Sequence, residues 1–109
     1  MATNIVRGGT CRICFYPQSG LRVESLGTPA IAISQELTFL TPEVVVDVEN
    51  NRIYADLTEK DTIQLVENTE TRVQAAFTNE VTGDVYRFPI HNVNVTETLF
   101  GSFSEEEVL

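Results

Sequence analysis

Tryptophan is absent from this sequence, and histidine and lysine occur once each, as His91 and Lys60. No apolar run approaches the ~20 residues that a membrane-crossing helix needs. Each shortage weighs against a class of function. Sugar-binding platforms favour large flat aromatics, so the missing tryptophan counts against them. Nucleic-acid affinity comes largely from Lys and Arg neutralising phosphates. Here seven cations face sixteen carboxylates, a formal net charge of −9, so that electrostatic footprint is missing. Anionic membrane surfaces are disfavoured for the same reason. Residues Met1 to Arg7 carry neither the basic nor the apolar stretch of a secretion signal, which predicts a chain made and folded in the cytoplasm.

The charge is uneven. Residues 1–27 hold three arginines against Glu24, whereas residues 28–109 hold four cations against fifteen carboxylates. Solubility and self-repulsion account for most of this acidity, and a docking face for a basic partner is the sharper reading. With 109 residues, 42% of them apolar, the chain has room for one domain with one core. We assign residues 1–103 to that domain and Ser104 to Leu109 to an acidic tail, frayed unless a neighbour orders it.

Turn signals are frequent. Arg7-Gly8-Gly9-Thr10, Pro17-Gln18-Ser19-Gly20, Leu26-Gly27-Thr28-Pro29, Thr41-Pro42, Glu49-Asn50-Asn51 and Thr82-Gly83-Asp84 divide short runs rich in Val, Ile, Thr, Tyr and Phe. This spacing predicts an all-β fold: an immunoglobulin-like antiparallel β-sandwich of about seven strands. The expected strands are Thr10 to Tyr16, Ala30 to Leu40, Glu43 to Val48, Arg52 to Leu57, Thr71 to Thr78 and Val85 to Val95. In the second, Ile31, Ile33, Leu37 and Phe39 share one parity. Asn50-Asn51 suits a hairpin turn because Asn tolerates positive φ. Pro89 cannot donate a ladder hydrogen bond, so it marks an edge, a bulge or a break. One short helical turn is expected over residues 58–65, with Thr58 and Asp61 as a capping box. So short a helix needs Leu57, Ile63 and Leu65 pinned on the core.

Reactive chemistry is sparse. Cys11-Arg12-Ile13-Cys14 has the C-x-x-C spacing, but it lies in a strand pattern. Residues three apart on a strand point to opposite faces, so the sulfurs should diverge. One cysteine is expected to pack as a small apolar side chain and the other to lie near the surface. Zinc would need two further ligands, and His91 is the one histidine on offer. His91 itself has no nucleophile motif or second histidine beside it and reads as a rim residue. The acids around the Glu43–Leu57 hairpin lack a calcium-loop pattern. The sequence therefore predicts no catalytic, metal or cofactor-binding residue and no small-molecule substrate. Leu99-Phe100-Gly101-Ser102-Phe103 is apolar and precedes the acidic tail. It reads as a last strand, or as an arm that adds to another subunit's sheet edge.

Several segments together resemble a family of small structural proteins encoded among the virion genes of tailed phages and prophages of Gram-positive bacteria, some similar to the N-terminal β domain of baseplate proteins. The segments are Arg7-Gly8-Gly9-Thr10 leading into a strand, then Leu57-Thr58-Glu59-Lys60-Asp61-Thr62-Ile63-Gln64-Leu65. Arg72-Val73-Gln74-Ala75-Ala76-Phe77, a turn at Gly83, and Val95-Thr96-Glu97-Thr98-Leu99 come after them. The resemblance implies a non-enzymatic virion component of the tail, baseplate, neck or capsid surface, present in many copies. Its partners would be copies of itself and other virion proteins. The family has no catalytic residues to carry over. The residues expected to dock are Leu99, Phe100 and Phe103, with Glu105, Glu106 and Glu107 setting electrostatic register. The alternative is a ligand-binding module, a carbohydrate-binding sandwich using Tyr16, Tyr54 or Tyr86.

Overall fold

In the computed structural model, which describes residues 4–96 and 104–108, the chain is all-β, with two sheets meeting in one apolar core. The strands are β1 (Asn4–Val6), β2 (Thr10–Phe15), β3 (Thr28–Ser34), β4 (Phe39–Leu40), β5 (Val45–Asp47), β6 (Arg52–Leu57), β7 (Thr71–Thr78), β8 (Val85–Arg87), β9 (His91–Thr96) and β10 (Ser104–Val108). A 3₁₀ turn lies at Val23–Ser25, and the helical turn α1 spans Glu59–Thr62. The larger sheet runs β1-β9-β7-β3-β4, with β8 also paired to β7, and the smaller runs β10-β2-β6-β5.

Alternation explains which faces meet. Along β7, Thr71, Val73, Ala75 and Phe77 are buried while Arg72 and Thr78 are exposed. Cys11, Ile13 and Phe15 of β2 and Ile53, Ala55 and Leu57 of β6 turn the same way from the smaller sheet. Phe15 and Phe88 close the core edge-to-face, with ring centroids 5.3 Å apart. Burial of large apolar side chains such as these is the main stabilising term, roughly 1.5–3 kcal/mol for each.

The expected fold is corrected in three places. The sheets are mixed: β1 runs parallel to β9 and β10 parallel to β2, so the arrangement is not purely antiparallel. The run 30–40 is a hairpin of two strands, not one strand. Its turn is held by Gln35, 7% exposed, whose amide donates to the Val66 carbonyl (2.9 Å) and to Thr71 Oγ1 (2.8 Å) and accepts from the Val66 amide (2.9 Å). The turn breaks the parity, leaving Leu37 and Phe39 at 96% and 67% exposed while Ile31 and Ile33 are buried. Residues 104–108, expected as a tail frayed unless a neighbour orders it, form a strand ladder with β2 of the same chain.

Other expectations stand. Thr58 Oγ1 accepts from the Asp61 amide (3.3 Å) and Asp61 Oδ2 accepts from the Thr58 amide (2.8 Å), the capping box of α1. Leu57 and Leu65 are buried on either side of it, but Ile63 is half exposed. Thr62 pins the turn instead. Its hydroxyl donates to the Gly9 carbonyl (2.7 Å) and accepts from the Gly8 amide (3.1 Å). Asn51 takes φ 51° in the β5–β6 turn, and its side chain bonds both the Leu21 carbonyl and the Val23 amide at 2.9 Å. Pro89 does divide its run. Ala76 pairs with Arg87 and Val73 with His91, so three steps along β7 face four along the other chain. One residue is extra, a bulge, and it turns Ile90 outward to 52% exposure.

Candidate functional site

The outer face of the smaller sheet is a lattice of charges and aromatic rings. Arg12, Cys14, Tyr54, Arg52, Asp47 and Asp56 share it by register. Arg12 donates to both oxygens of Asp56, at 2.7 and 3.2 Å, and its guanidinium sits 4.1 Å from the centroid of the Tyr54 ring. Arg52 donates to Asp47 Oδ2 (2.9 Å) and to Cys14 Sγ (3.3 Å), and stands 5.2 Å from the same ring. Bidentate pairing and stacking suit the flat guanidinium. Hydrogen bonds from Asn50, then from Arg52, hold the Asp47 carboxyl below its ordinary range. The bond to Asp47 likewise raises the Arg52 guanidinium.

This lattice settles the cysteines. Cys11 lies in the core and Cys14 on the opposite face, so the sulfurs diverge as expected. The expectation that one lies near the surface is corrected: Cys14 is fully buried, and Arg52 donates to its sulfur. His91 packs edge-on against Phe15, with centroids 6.2 Å apart. Among the described residues, no group of three or more His, Cys, Asp or Glu is placed to hold a metal ion, and no helix is long and apolar enough to cross a membrane.

The outer face of the larger sheet is different. Its strand positions carry Ala30, Ala32 and Ser34 from β3, Gln74 and Ala76 from β7, and Asn92 and Asn94 from β9. The charged side chains at those positions are Arg72 and Arg87, both cations, in a chain with sixteen carboxylates. At one end, exposed Phe39 and Ile90 border a depression of about 150 Å³ floored by Ala32 and Gln74. Arg72 and Ser34 line both it and a second depression, of about 520 Å³, whose other residues include Glu36, Thr69 and Glu70. A third, of about 460 Å³, lies over Asn4, Asn68 and Asn94. Leu37 stands at the tip of the same hairpin as Phe39.

Of the residues expected to dock, Leu99, Phe100 and Phe103 lie outside the described residues. Glu105, Glu106 and Glu107 lie in β10, at the register positions of Cys11, Arg12 and Ile13. Of the tyrosines weighed as sugar platforms, Tyr54 is stacked under guanidinium groups. Tyr86 packs against Phe88 and accepts a hydrogen bond from the Gln18 amide (3.2 Å), and Tyr16 is 44% exposed. Sequence reasoning missed Phe39 and Ile90. The Pro89 break was the available signal for Ile90, since a one-residue slip reverses the face of every residue beyond it.

No family model matches the chain, and neither a curated protein nor a solved structure is significantly similar to it.

Proposed function

We propose that the chain is a non-enzymatic structural component of a phage or prophage virion, acting by docking to copies of itself and to other virion proteins. The observation that carries the docking is the large-sheet outer face. It is built of small neutral side chains, it has Arg72 and Arg87 as its charges, and it is rimmed by exposed Phe39 and Ile90. Interfaces are depleted in carboxylates and enriched in arginine and aromatic residues, the features that Arg72, Arg87 and Phe39 give this face. An acidic subunit placed against this face meets cations where the rest of the surface would repel it. The family resemblance supports the virion setting.

Size-exclusion chromatography with light scattering, on the chain alone and with the products of neighbouring virion genes, tests the reading. Self-association or co-elution is expected, weakened by Phe39→Ser and Ile90→Ser. An inert monomer in every mixture would sink it. The second reading, a ligand-binding module, draws support from the open polar depressions over Asn4, Asn68 and Asn94 and over Thr69 and Glu70. A clear glycan-array hit, lost in Asn94→Ala, would promote it.

A further inference from the structure

Arg7 pairs with Glu67, Arg12 with Asp56, Arg22 with Glu24 and Arg52 with Asp47. Arg72 and Arg87 are different. Both are exposed, and among the described residues neither side chain makes an ion pair or a hydrogen bond. Glu36 and Glu70 line a depression together with Arg72 and still do not pair with it. In a chain with sixteen carboxylates, two neighbouring strands therefore present cations that no surrounding side chain neutralises.

The ladder sets their spacing. Arg87 stands across from Ala76, four residues along β7 from Arg72, so the two backbones are roughly 14 Å apart. Gln74 lies midway along β7, and with Ala32 it floors the depression of about 150 Å³ between Phe39 and Ile90. An apolar cavity of roughly that volume accepts a benzene ring, so the depression has room for one leucine side chain. Along β7 the order is cation, apolar recess, cation.

We propose that this row is a docking site for an extended acidic segment of another protein, with one carboxylate on Arg72, an apolar side chain in the depression and a second carboxylate on Arg87. This rests on the docking reading of the face and gives its partner a chemistry. In an extended segment alternate side chains point the same way and stand roughly 6.8 Å apart, so residues i, i+2 and i+4 span the row. Each carboxylate can accept paired hydrogen bonds from a guanidinium. The small side chains of Ala30, Ala32 and Ala76 let the segment lie close to the sheet. The chain's own Glu43-Val44-Val45-Val46-Asp47 has the same spacing, but its Asp47 is already held by Asn50 and Arg52, which favours a different protein over a second copy. Nucleic acid is a poorer occupant, because it would lay a row of phosphates along a chain of net charge −9.

A peptide built to the row tests this: Ser-Glu-Ser-Leu-Ser-Glu-Ser, capped at both ends and titrated into the full, isotope-labelled chain while amide chemical shifts are followed. Saturable shifts at millimolar peptide are expected at Ala32, Gln74 and Ala76, and they should fade as salt is raised. Arg72→Glu and Arg87→Glu should each weaken binding about tenfold or more while leaving the urea transition in place. Lysine in place of both peptide glutamates should abolish binding, and alanine in place of the leucine should weaken it. The absence of a saturable shift, equal binding of the lysine peptide, or shifts that map elsewhere would overturn the proposal. So would tighter binding of an oligodeoxythymidine. The same shifts appearing without peptide as protein concentration rises would replace the acidic segment with a second copy. In size-exclusion chromatography, assembly weakened by Phe39→Ser but indifferent to Arg72→Glu and Arg87→Glu would remove the acidic segment and leave docking through the face standing. An inert monomer in every mixture would remove the docking reading itself.

Discussion

The two outer sheet faces are built from the same alternating pattern and reach opposite ends. On the smaller sheet the outward positions Arg12, Cys14, Asp47, Arg52, Tyr54 and Asp56 carry a charge, a ring or a thiol, and these groups bind each other: Arg12 with Asp56, Arg52 with Asp47 and Cys14, and both guanidiniums with Tyr54. On the larger sheet the equivalent positions are Ala, Ser, Gln and Asn, with Arg72 and Arg87 among them and Phe39 and Ile90 beside them. A sheet face can be completed by its own side chains or left for another surface to complete. The first kind contributes stability, and the second can contribute binding at little cost to stability.

The comparison can be broken or sharpened by substitution. The largest effect should come from beneath both faces. Phe15 is fully buried and packs on Phe88, and Phe15→Ala should cost about 3–5 kcal/mol in urea unfolding, enough to disorder both faces together. Next comes Gly27→Val. Gly27 has φ 112°, and a β-carbon there would collide with the Thr78 carbonyl, so this variant should also unfold at much lower urea. Third is Arg52→Ala, which strips a partner from Asp47, Cys14 and Tyr54 at once. Its urea midpoint should fall clearly, though less than for Phe15→Ala, and the binding of partners should be unaffected.

The same lattice predicts a pH signature. Asp47 is held below its ordinary range by Asn50 and Arg52, so its bonds stabilise the fold above the ordinary carboxylate pKa. That contribution is lost as pH falls through the lowered value. Asp47→Asn should therefore unfold at lower urea than the parent near neutral pH, and the gap should close in acid. The smallest effect on stability should come from the larger face. Phe39→Ser should shift unfolding by no more than about 0.5 kcal/mol while weakening assembly. If it destabilises as much as Arg52→Ala, the distinction between the faces fails.

Much of the fold was written locally in the chain. Alternation in Arg52–Leu57 and Thr71–Thr78, the Thr58–Asp61 cap, the Asn51 turn and the Pro89 break each depend on neighbours in sequence, and each appears in the structure. The hairpin at residues 35–38 does not. It is set by Gln35 bonds to Val66 and Thr71, 31 and 36 positions away, which no local pattern reveals. The strand β1 is three residues long and its partner lies at the far end of the chain, so neither propensity nor alternation could mark it. The candidate face was hidden for the same reason. Phe39 lies past the unforeseen turn, so the parity it shares with Ile31 and Ile33 does not give its face, and Ile90 lies at the bulge, where alternation along 85–95 breaks. The acidic run 104–108 reads as a tail by composition, because nothing in Ser-Glu-Glu-Glu-Val announces a strand.

The parallel pairing of β1 with β9 has a consequence for biosynthesis. Asn4, Ile5 and Val6 leave the ribosome some ninety positions ahead of their partners Asn94, Val95 and Thr96. Until then Ile5, which is fully buried in the finished protein, has no sheet to join. The nascent chain must therefore carry β1 unpaired while the residues between it and β9 are synthesised, and the larger sheet acquires that edge only once β9 has emerged.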